Sequence, residues 1–86
     1  MIRIKRARYV RDFTVEFTFT DGSRREIDLA PFLSGPIFES LRTLDAFKKF
    51  RLDRELGTIV WPNGADIDPD VLYLGLTPAA SETPAR

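Results

Sequence analysis

The most regular pattern in the chain is a strict alternation of apolar and polar residues over residues 13–20. The apolar positions are Phe13, Val15, Phe17 and Phe19. Such alternation is typical of a β-strand with one buried face and one face in water. The dipeptide Asp21-Gly22 that follows is a strong hairpin signal, and the returning residues resume the alternation. We therefore predict an antiparallel hairpin over residues 13–29.

A weaker alternation over residues 2–10 predicts a first strand. Ile2 and Ile4 are in phase with each other, whereas Ala7 and Tyr9 are out of phase with them. A slip of one residue in a two-residue period indicates a β-bulge, which we place near Lys5–Arg6.

Between residues 30 and 50 the apolar residues recur every three or four positions, which predicts short helices. We expect one helical turn at 30–33, a short helix at 36–42 and a further turn at 44–49. Asp28 has the residue type and the position of an N-cap for the first turn.

The last part of the folded chain predicts a second hairpin and a final helix. The β-branched and aromatic run Thr58–Trp61 follows a turn that contains Gly57. Asp68 and Pro69 are the residue types preferred at the N-cap and the first position of a helix.

These elements predict an α+β fold, with a small antiparallel sheet of two hairpins plus an N-terminal strand and two or three short helices. We expect one domain over residues 1–76 and a disordered tail over 77–86, which is rich in Pro, Ala, Ser and Thr. The predicted core is Ile2, Ile4, Phe13, Val15, Phe17, Phe19, Ile27, Leu29, Phe38, Leu41, Phe47, Leu52, Ile59, Trp61 and Leu72.

The composition narrows the chemistry. The 86 residues contain 13 Lys plus Arg, 13 Asp plus Glu, no His and no Cys. Triads built on Ser-His or Cys-His pairs, zinc fingers and iron–sulfur sites are therefore excluded. We expect no enzyme activity, no cofactor and no metal. No apolar run approaches the ~18–20 residues that span a membrane, so we expect a cytoplasmic protein with no membrane partner.

Five basic residues in the first strand allow two interpretations. They are Arg3, Lys5, Arg6, Arg8 and Arg11. One interpretation is contact with nucleic-acid phosphates or an acidic partner; the other is an edge strand that its charge protects from aggregation. A formal net charge of zero favours the second. A nucleic-acid-associated regulator that uses this basic strand is kept as the first alternative function.

Asp66, Asp68 and Asp70 stand at alternate positions, as ligands do in calcium loops. Val71 stands where such a loop needs Gly, and Thr77 where it needs Glu. Caps for a turn and a helix start explain the carboxylates better. A weak metal or enzyme site at Asp66–Asp70 is kept as the second alternative.

Trp61, Pro62, Asn63 and Asp66 lie close together in the sequence and are the predicted partner-binding residues. A Trp beside a turn suits an interface anchor. It equally suits a residue that caps the core at a strand end, followed by an Asn-Gly turn.

Two segments also carry a family resemblance. FTFTDGSRREIDLAPFL and GPIFESLRTLDAFKKFRLDRELGTIVWPNGADIDPDVLY resemble the family known as domain of unknown function 2442, over about residues 2–75. The matching positions are Phe19, Asp21, Gly22, Ile27, Asp28, Leu29, Phe38, Leu41, Phe47, Gly57, Thr58, Ile59, Trp61, Asn63, Gly64, Asp66, Pro69 and Leu72. The most specific string is W-P-N-G-A-D.

The resemblance implies a small bacterial α+β domain. Some members look like a module joined to a helix-turn-helix domain, and others stand alone beside a small toxin-like protein. The residues after 75 leave no room for a helix-turn-helix, so we expect the standalone form. The leading functional hypothesis is a non-enzymatic protein-interaction module, an antitoxin-like or regulatory partner of a small neighbouring protein.

The run Thr58–Trp61 bears on self-association, because an uncharged, β-branched strand is poorly suited to an exposed sheet edge. We expect it to be central, or covered by the helix at residues 69–74 or by a second subunit. The hypothesis that follows is a homodimer that buries apolar surface near Trp61, Pro62 and the last helix.

Overall fold

A computed structural model describes residues 2–75 of the chain. Within them the elements are β1 (Ile4–Arg11), β2 (Thr14–Phe19), β3 (Arg24–Asp28), α1 (Pro36–Glu39), α2 (Leu44–Phe47), β4 (Arg51–Asp53), β5 (Thr58–Val60) and α3 (Pro69–Leu74), with 3₁₀ turns at Ala30–Phe32 and Ser40–Arg42. The predicted α+β class is confirmed. The predicted tail, residues 77–86, lies outside the described residues.

The three-stranded sheet has the order β1-β2-β3, with both pairs antiparallel. The predicted hairpin over residues 13–29 is therefore confirmed. Its loop is closed by two hydrogen bonds of 2.9 Å, from the Phe19 N–H to the Ser23 carbonyl and from the Gly22 N–H to the Phe19 carbonyl. Gly22 has a φ of 91°, in the left-handed region that completes a three-residue hairpin loop.

A β-bulge in β1 confirms the slip in the sequence pattern. Ile4 lies opposite Phe19 and Arg6 opposite Thr18, so Lys5 is the extra residue. The bulge determines which side chains in the rest of β1 point toward the core and which point to the outer face. A second irregularity, between Tyr9 and Arg11, was not anticipated from the sequence.

The second hairpin pairs β4 with β5 in a separate two-stranded sheet. The chain's own residues 65–67 cover the other edge of β5. The Trp61 N–H donates to the Ala65 carbonyl at 2.9 Å, Val60 bridges to Asp66, and the Thr58 hydroxyl donates to the Ile67 carbonyl. Residues 65–67 thus supply cover for Thr58–Trp61 that the sequence had not indicated, and a homodimer stays a prediction.

Aromatic rings occupy the centre of the core. The Phe47 ring is in edge or tilted contact with Tyr9, Phe13, Phe50 and Trp61, with centroids 5.0–6.4 Å apart. Some predicted core residues are only half-buried, namely Ile2, Phe13, Ile27, Phe38 and Leu52. Buried residues that were not predicted are Leu33, Val60, Ala65 and Ile67.

The predicted N-cap of the last helix is confirmed, since the Asp68 carboxylate accepts from the Asp70 N–H at 2.9 Å. The predicted N-cap of the first turn is wrong by one residue. Leu29 holds that position, and the Asp28 carboxylate, one residue earlier, accepts from the Ala30 N–H at 3.0 Å. None of the helices among residues 2–75 is long and apolar enough to cross a membrane.

Candidate functional site

The structure divides the five basic residues of the first strand among different environments. The Arg3 guanidinium donates to the carbonyls of Arg54 and Glu55, both at 2.7 Å, and so fastens the β4–β5 turn to the start of β1. Lys5 lies at the bulge. The three remaining residues, Arg6, Arg8 and Arg11, pair with β2 at the positions whose side chains point away from the core.

Carboxylates on that outer face offset part of its positive charge. Arg8 lies 3.2 Å from Glu16, and Arg11 lies 4.0 Å from Glu26. A surface that tracks nucleic-acid phosphates needs positive charge that is available to the phosphates. This pairing therefore favours a solvated, edge-strand role for the basic residues over phosphate binding.

The predicted partner-binding residues belong to one folded loop. Trp61 is only 2% exposed, and its indole N–H donates to the Phe47 carbonyl at 2.8 Å. The Asn63 amide group donates to the Ile37 carbonyl at 2.8 Å and to the Ser40 hydroxyl at 3.1 Å. Its amide oxygen accepts from the Ala65 N–H at 3.0 Å. Asn63 therefore ties this loop to the helical segment 36–42.

Residues 61–66 thus have a structural explanation in the fold. The Gly64 N–H donates to the Trp61 carbonyl at 2.9 Å, and a φ of 91° at Gly64 turns the chain back toward β5. Pro62, Asn63 and Asp66 are exposed, whereas Trp61 is not. Their contact with a partner stays a prediction, and Trp61 itself has little surface with which to make it.

Asp66, Asp68 and Asp70 lie around a shallow depression of about 430 Å³ that also includes Ile2, Leu56 and Pro69. Asp68 is already used as the N-cap of α3. Among residues 2–75, no group of three or more acidic side chains is arranged to hold a metal ion. The second alternative, a metal site, gains no support from this geometry.

The two edge strands of the three-stranded sheet are β1 and β3. The start of β1 is partly covered, since the Ile4 N–H donates to the Gly57 carbonyl, whereas β3 pairs only with β2 among the described strands. The Phe19 N–H donates to the Ser23 carbonyl, and the Leu29 N–H donates to the Phe13 carbonyl. Antiparallel pairs alternate between hydrogen-bonded and non-hydrogen-bonded positions.

The register that includes these two bonds makes Arg25 and Ile27 the residues that bond to β2. The N–H and carbonyl groups of Arg24, Glu26 and Asp28 therefore point away from the sheet. We call this row of backbone groups the β3 edge.

A groove of about 230 Å³ runs beside the β3 edge and is called here the edge groove. One wall is β3 itself, and the other comes from the 3₁₀ turn after β3 and from α3. The lining residues are Arg25, Glu26, Ile27, Asp28, Pro31, Phe32, Val71, Leu72 and Gly75. Ile27, Phe32 and Val71 are half-buried, so apolar surface is accessible inside the groove.

A hydrogen bond fixes α3 to the hairpin and so sets the far wall of the edge groove. The Tyr73 hydroxyl donates to the Asp21 carboxylate at 2.7 Å. Hydrogen bonds from the Ser23 side chain and from Tyr73 lower the pKa of Asp21 to about 2. The same bond to Asp21 raises the pKa of Tyr73 above its ordinary value.

The β3 edge and the edge groove were not identified from the sequence. The hairpin pattern locates β3 but does not show which of its sides has a neighbour. One signal was present: the segment RREID has four charged residues in five, and charge is common on strands at a sheet edge.

Comparison with known proteins gives one match. A family model described as protein of unknown function, DUF2442, matches residues 4–78. Neither the curated proteins nor the solved structures include a match to the chain.

Proposed function

The chain belongs to the DUF2442 family, and we propose that it is a non-enzymatic protein-interaction module that binds an extended segment of a partner protein. The partner segment adds to the β3 edge as a further strand. In such strand addition, main-chain hydrogen bonds supply affinity and pockets for alternate side chains supply specificity.

The observation that carries this proposal is the position of the edge groove directly beside the β3 edge. Arg24, Glu26 and Asp28 present backbone donors and acceptors in a row. Half-buried Ile27, Phe32 and Val71 line the edge groove and offer apolar contact there. A strand that pairs with the edge would therefore place every second side chain in the groove.

The pKa shifts of Asp21 and Tyr73 have a structural origin. Perturbed pKa values are common at catalytic sites, but these two arise largely from the hydrogen bonds that Asp21 makes with Ser23 and that Asp21 and Tyr73 make with each other at the hairpin loop. That pair holds two elements together, which is a structural use of the shift.

The partner that best fits the family resemblance is a small neighbouring protein, for which this chain would act as an antitoxin-like or regulatory component in the cytoplasm. Strand addition suits that role, because an extended segment can be captured without a preformed domain interface.

The test uses two substitutions at one outward position of β3. Glu26→Pro removes the carboxylate and a backbone N–H that points away from β2, and proline is tolerated in a strand at such a position. Glu26→Thr removes the same charge but keeps the N–H. Circular dichroism and thermal unfolding verify that both variants fold.

Wild type and both variants then serve as bait in lysate of the source cells, with quantitative mass spectrometry of the bound proteins. We expect a partner that wild type and Glu26→Thr retain and that Glu26→Pro loses at least tenfold. Equal capture of every protein by the two variants would overturn strand addition at β3.

A further inference from the structure

Resting on the proposed function, we propose a specific chemistry for the partner segment. It runs antiparallel to β3 and alternates apolar with charged residues. Basic side chains lie opposite Glu26 and Asp28, and an acidic side chain lies opposite Arg24. The apolar side chains between them enter the edge groove.

The antiparallel direction follows from the sheet that the segment joins. Both existing pairs of this sheet are antiparallel. Antiparallel pairing is slightly more stable per residue than parallel pairing. With Arg24, Glu26 and Asp28 as the hydrogen-bonded positions, registers that differ by two residues use the same outward backbone groups, and the side-chain charges select among them.

The charge order follows from the outer face of β3. Arg24, Glu26 and Asp28 share this face and are all exposed. Residues directly opposite on neighbouring strands have Cβ atoms about 4.5–5.5 Å apart, so opposite charges attract and like charges repel there. Arg11 approaches Glu26 only at 4.0 Å, from the opposite side of the strand, and leaves its open side for a partner cation.

The apolar positions follow from the other face of β3. Side chains opposite Arg25 and Ile27 point to the face that carries Ile27, Phe32 and Val71. The groove of about 230 Å³ is smaller than the roughly 300–1,000 Å³ of pockets that hold drug-sized ligands. Its size therefore suits one or two aliphatic side chains.

A second copy of this chain is a poorer occupant. A two-fold axis at Glu26 would pair Arg24 with Asp28 favourably, but it would place the two Glu26 carboxylates directly opposite each other. An axis at Arg25 would pair Arg24 with Glu26, but it would place the two Arg25 side chains directly opposite each other. Like charges in that position destabilise strand pairing.

The chain's own last residues, 76–86, also fit less well. They follow Gly75 at the groove, but they contain Pro78 and Pro84, and their single basic residue is the final Arg86. A separate partner segment therefore matches the β3 edge better than either alternative.

The probe is the capped peptide TKVKVET, in which the two lysines face Asp28 and Glu26 and the glutamate faces Arg24. The first control is TEVEVKT, with every charge reversed. The second control is TKSKSET, with serine in place of both valines. Binding to the full chain is measured by fluorescence anisotropy at low salt, and nuclear magnetic resonance shifts locate the site.

We expect TKVKVET to bind at least fivefold more tightly than either control. The chemical-shift changes should be confined to β3, the 3₁₀ turn at residues 30–32 and α3. The double variant Arg24→Glu, Glu26→Lys should reverse the preference between the two charge orders. The variant keeps Asp28, because that residue caps the following turn.

Equal binding of TKVKVET and TEVEVKT, or shifts elsewhere on the surface, would overturn this inference. Two further results would assign the edge to another occupant and also overturn it. One is a dimer that Glu26→Pro dissociates. The other is a fivefold gain in affinity for TKVKVET when residues 77–86 are deleted. The proposed function is judged separately, because cellular capture that Glu26→Pro abolishes would sustain it whatever the peptides show.

Discussion

Trp61 is buried in the structure, although its position beside a turn in the sequence suggested an interface residue. Its ring lies against Phe38, Phe47 and Phe50, and its indole N–H is bonded to a backbone carbonyl. A buried aromatic side chain with its one donor satisfied contributes to folding through packed area and through that bond. We therefore assign Trp61 to the stability of the domain.

Phe17 and Thr18 test the two faces of β2. Phe17 is fully buried, whereas Thr18 lies on the outer face between Arg6 and Arg24. Phe17→Ala should lower the free energy of unfolding by about 3–5 kcal/mol, because it removes a packed ring and leaves a cavity. Thr18→Ala should change it by less than about 0.5 kcal/mol. Urea unfolding of both variants provides the measurement, and equal losses would contradict the assigned face.

The bond between Asp21 and Tyr73 predicts a pH dependence of stability. The Asp21 pKa falls from an ordinary 3.8 to about 2 in the folded chain, so its stabilising effect is present above pH 4 and is lost as pH falls toward 2. The Tyr73 pKa is raised above 10.0, so the contribution of the same bond is present below pH 10 and is lost as pH rises through the folded value.

Tyr73→Phe should therefore lower stability at pH 7 and have progressively less effect as pH falls from 4 to 2. Urea midpoints across that range measure the difference from wild type. Tyr9→Phe is the matched control, since no side-chain hydrogen bond joins Tyr9 to the described residues. A Tyr73→Phe deficit that is the same at pH 2 and pH 7 would show that the carboxylate is not the partner.

At the scale of elements, the loop 61–66 connects β5 to the helical segment 36–42 through side-chain hydrogen bonds. Asn63 makes three hydrogen bonds, to Ile37, Ser40 and Ala65, and it is the only described side chain that joins these two parts through hydrogen bonds. Four residues of the string W-P-N-G-A-D, namely Trp61, Asn63, Gly64 and Ala65, thereby have a role in folding.

Asn63→Ala should cost about 1–3 kcal/mol of stability, since it leaves the Ala65 N–H and the Ile37 carbonyl without their partner. Ser40→Ala removes only one acceptor of the same cluster and should cost well under half as much. Thermal unfolding of the two variants compares them. A larger loss for Ser40→Ala would contradict the central position of Asn63.

β3 shows how one element can serve both protection and recognition. It has five residues and four charges, and short, charged strands resist indiscriminate edge pairing. The order of these charges, positive at Arg24 and negative at Glu26 and Asp28, makes the edge selective for a complementary strand. A partner is therefore selected by the charges that keep other strands away.

At the scale of the whole molecule, the structure changes the expectation for self-association. Residues 65–67 cover the edge of β5, so the uncovered strand that motivated a homodimer at Trp61 is not there. The β3 edge pairs poorly with itself because a two-fold axis there places like charges opposite each other. We therefore expect a monomer in sedimentation velocity up to ~100 μM, a concentration at which an interface of micromolar affinity would be filled.

Trp61→Ala should then lower the unfolding free energy by about 3–5 kcal/mol without changing the sedimentation coefficient of the folded fraction. A wild-type dimer that this substitution dissociates, with folding retained, would restore the homodimer hypothesis. Circular dichroism before each run verifies that the variant is folded.

The sequence by itself determined the elements and their inward faces, because these depend on neighbours only a few residues apart. The alternation at Phe13–Phe19, the slip at Lys5 and the cap Asp68 all depend on local backbone geometry, and all recur in the structure. The matching positions of the family pattern are local in the same sense.

Only the tertiary structure decided which strand edges are covered and which polar residues are already engaged. Arg3 reaches a turn more than fifty positions away, and Asn63 reaches a helix 26 positions away. The cover on β5 and the groove beside β3 likewise join segments that no periodicity relates. Strand patterns specify the two faces of a sheet, whereas neighbours in the hydrogen-bonding direction come from the path of the whole chain.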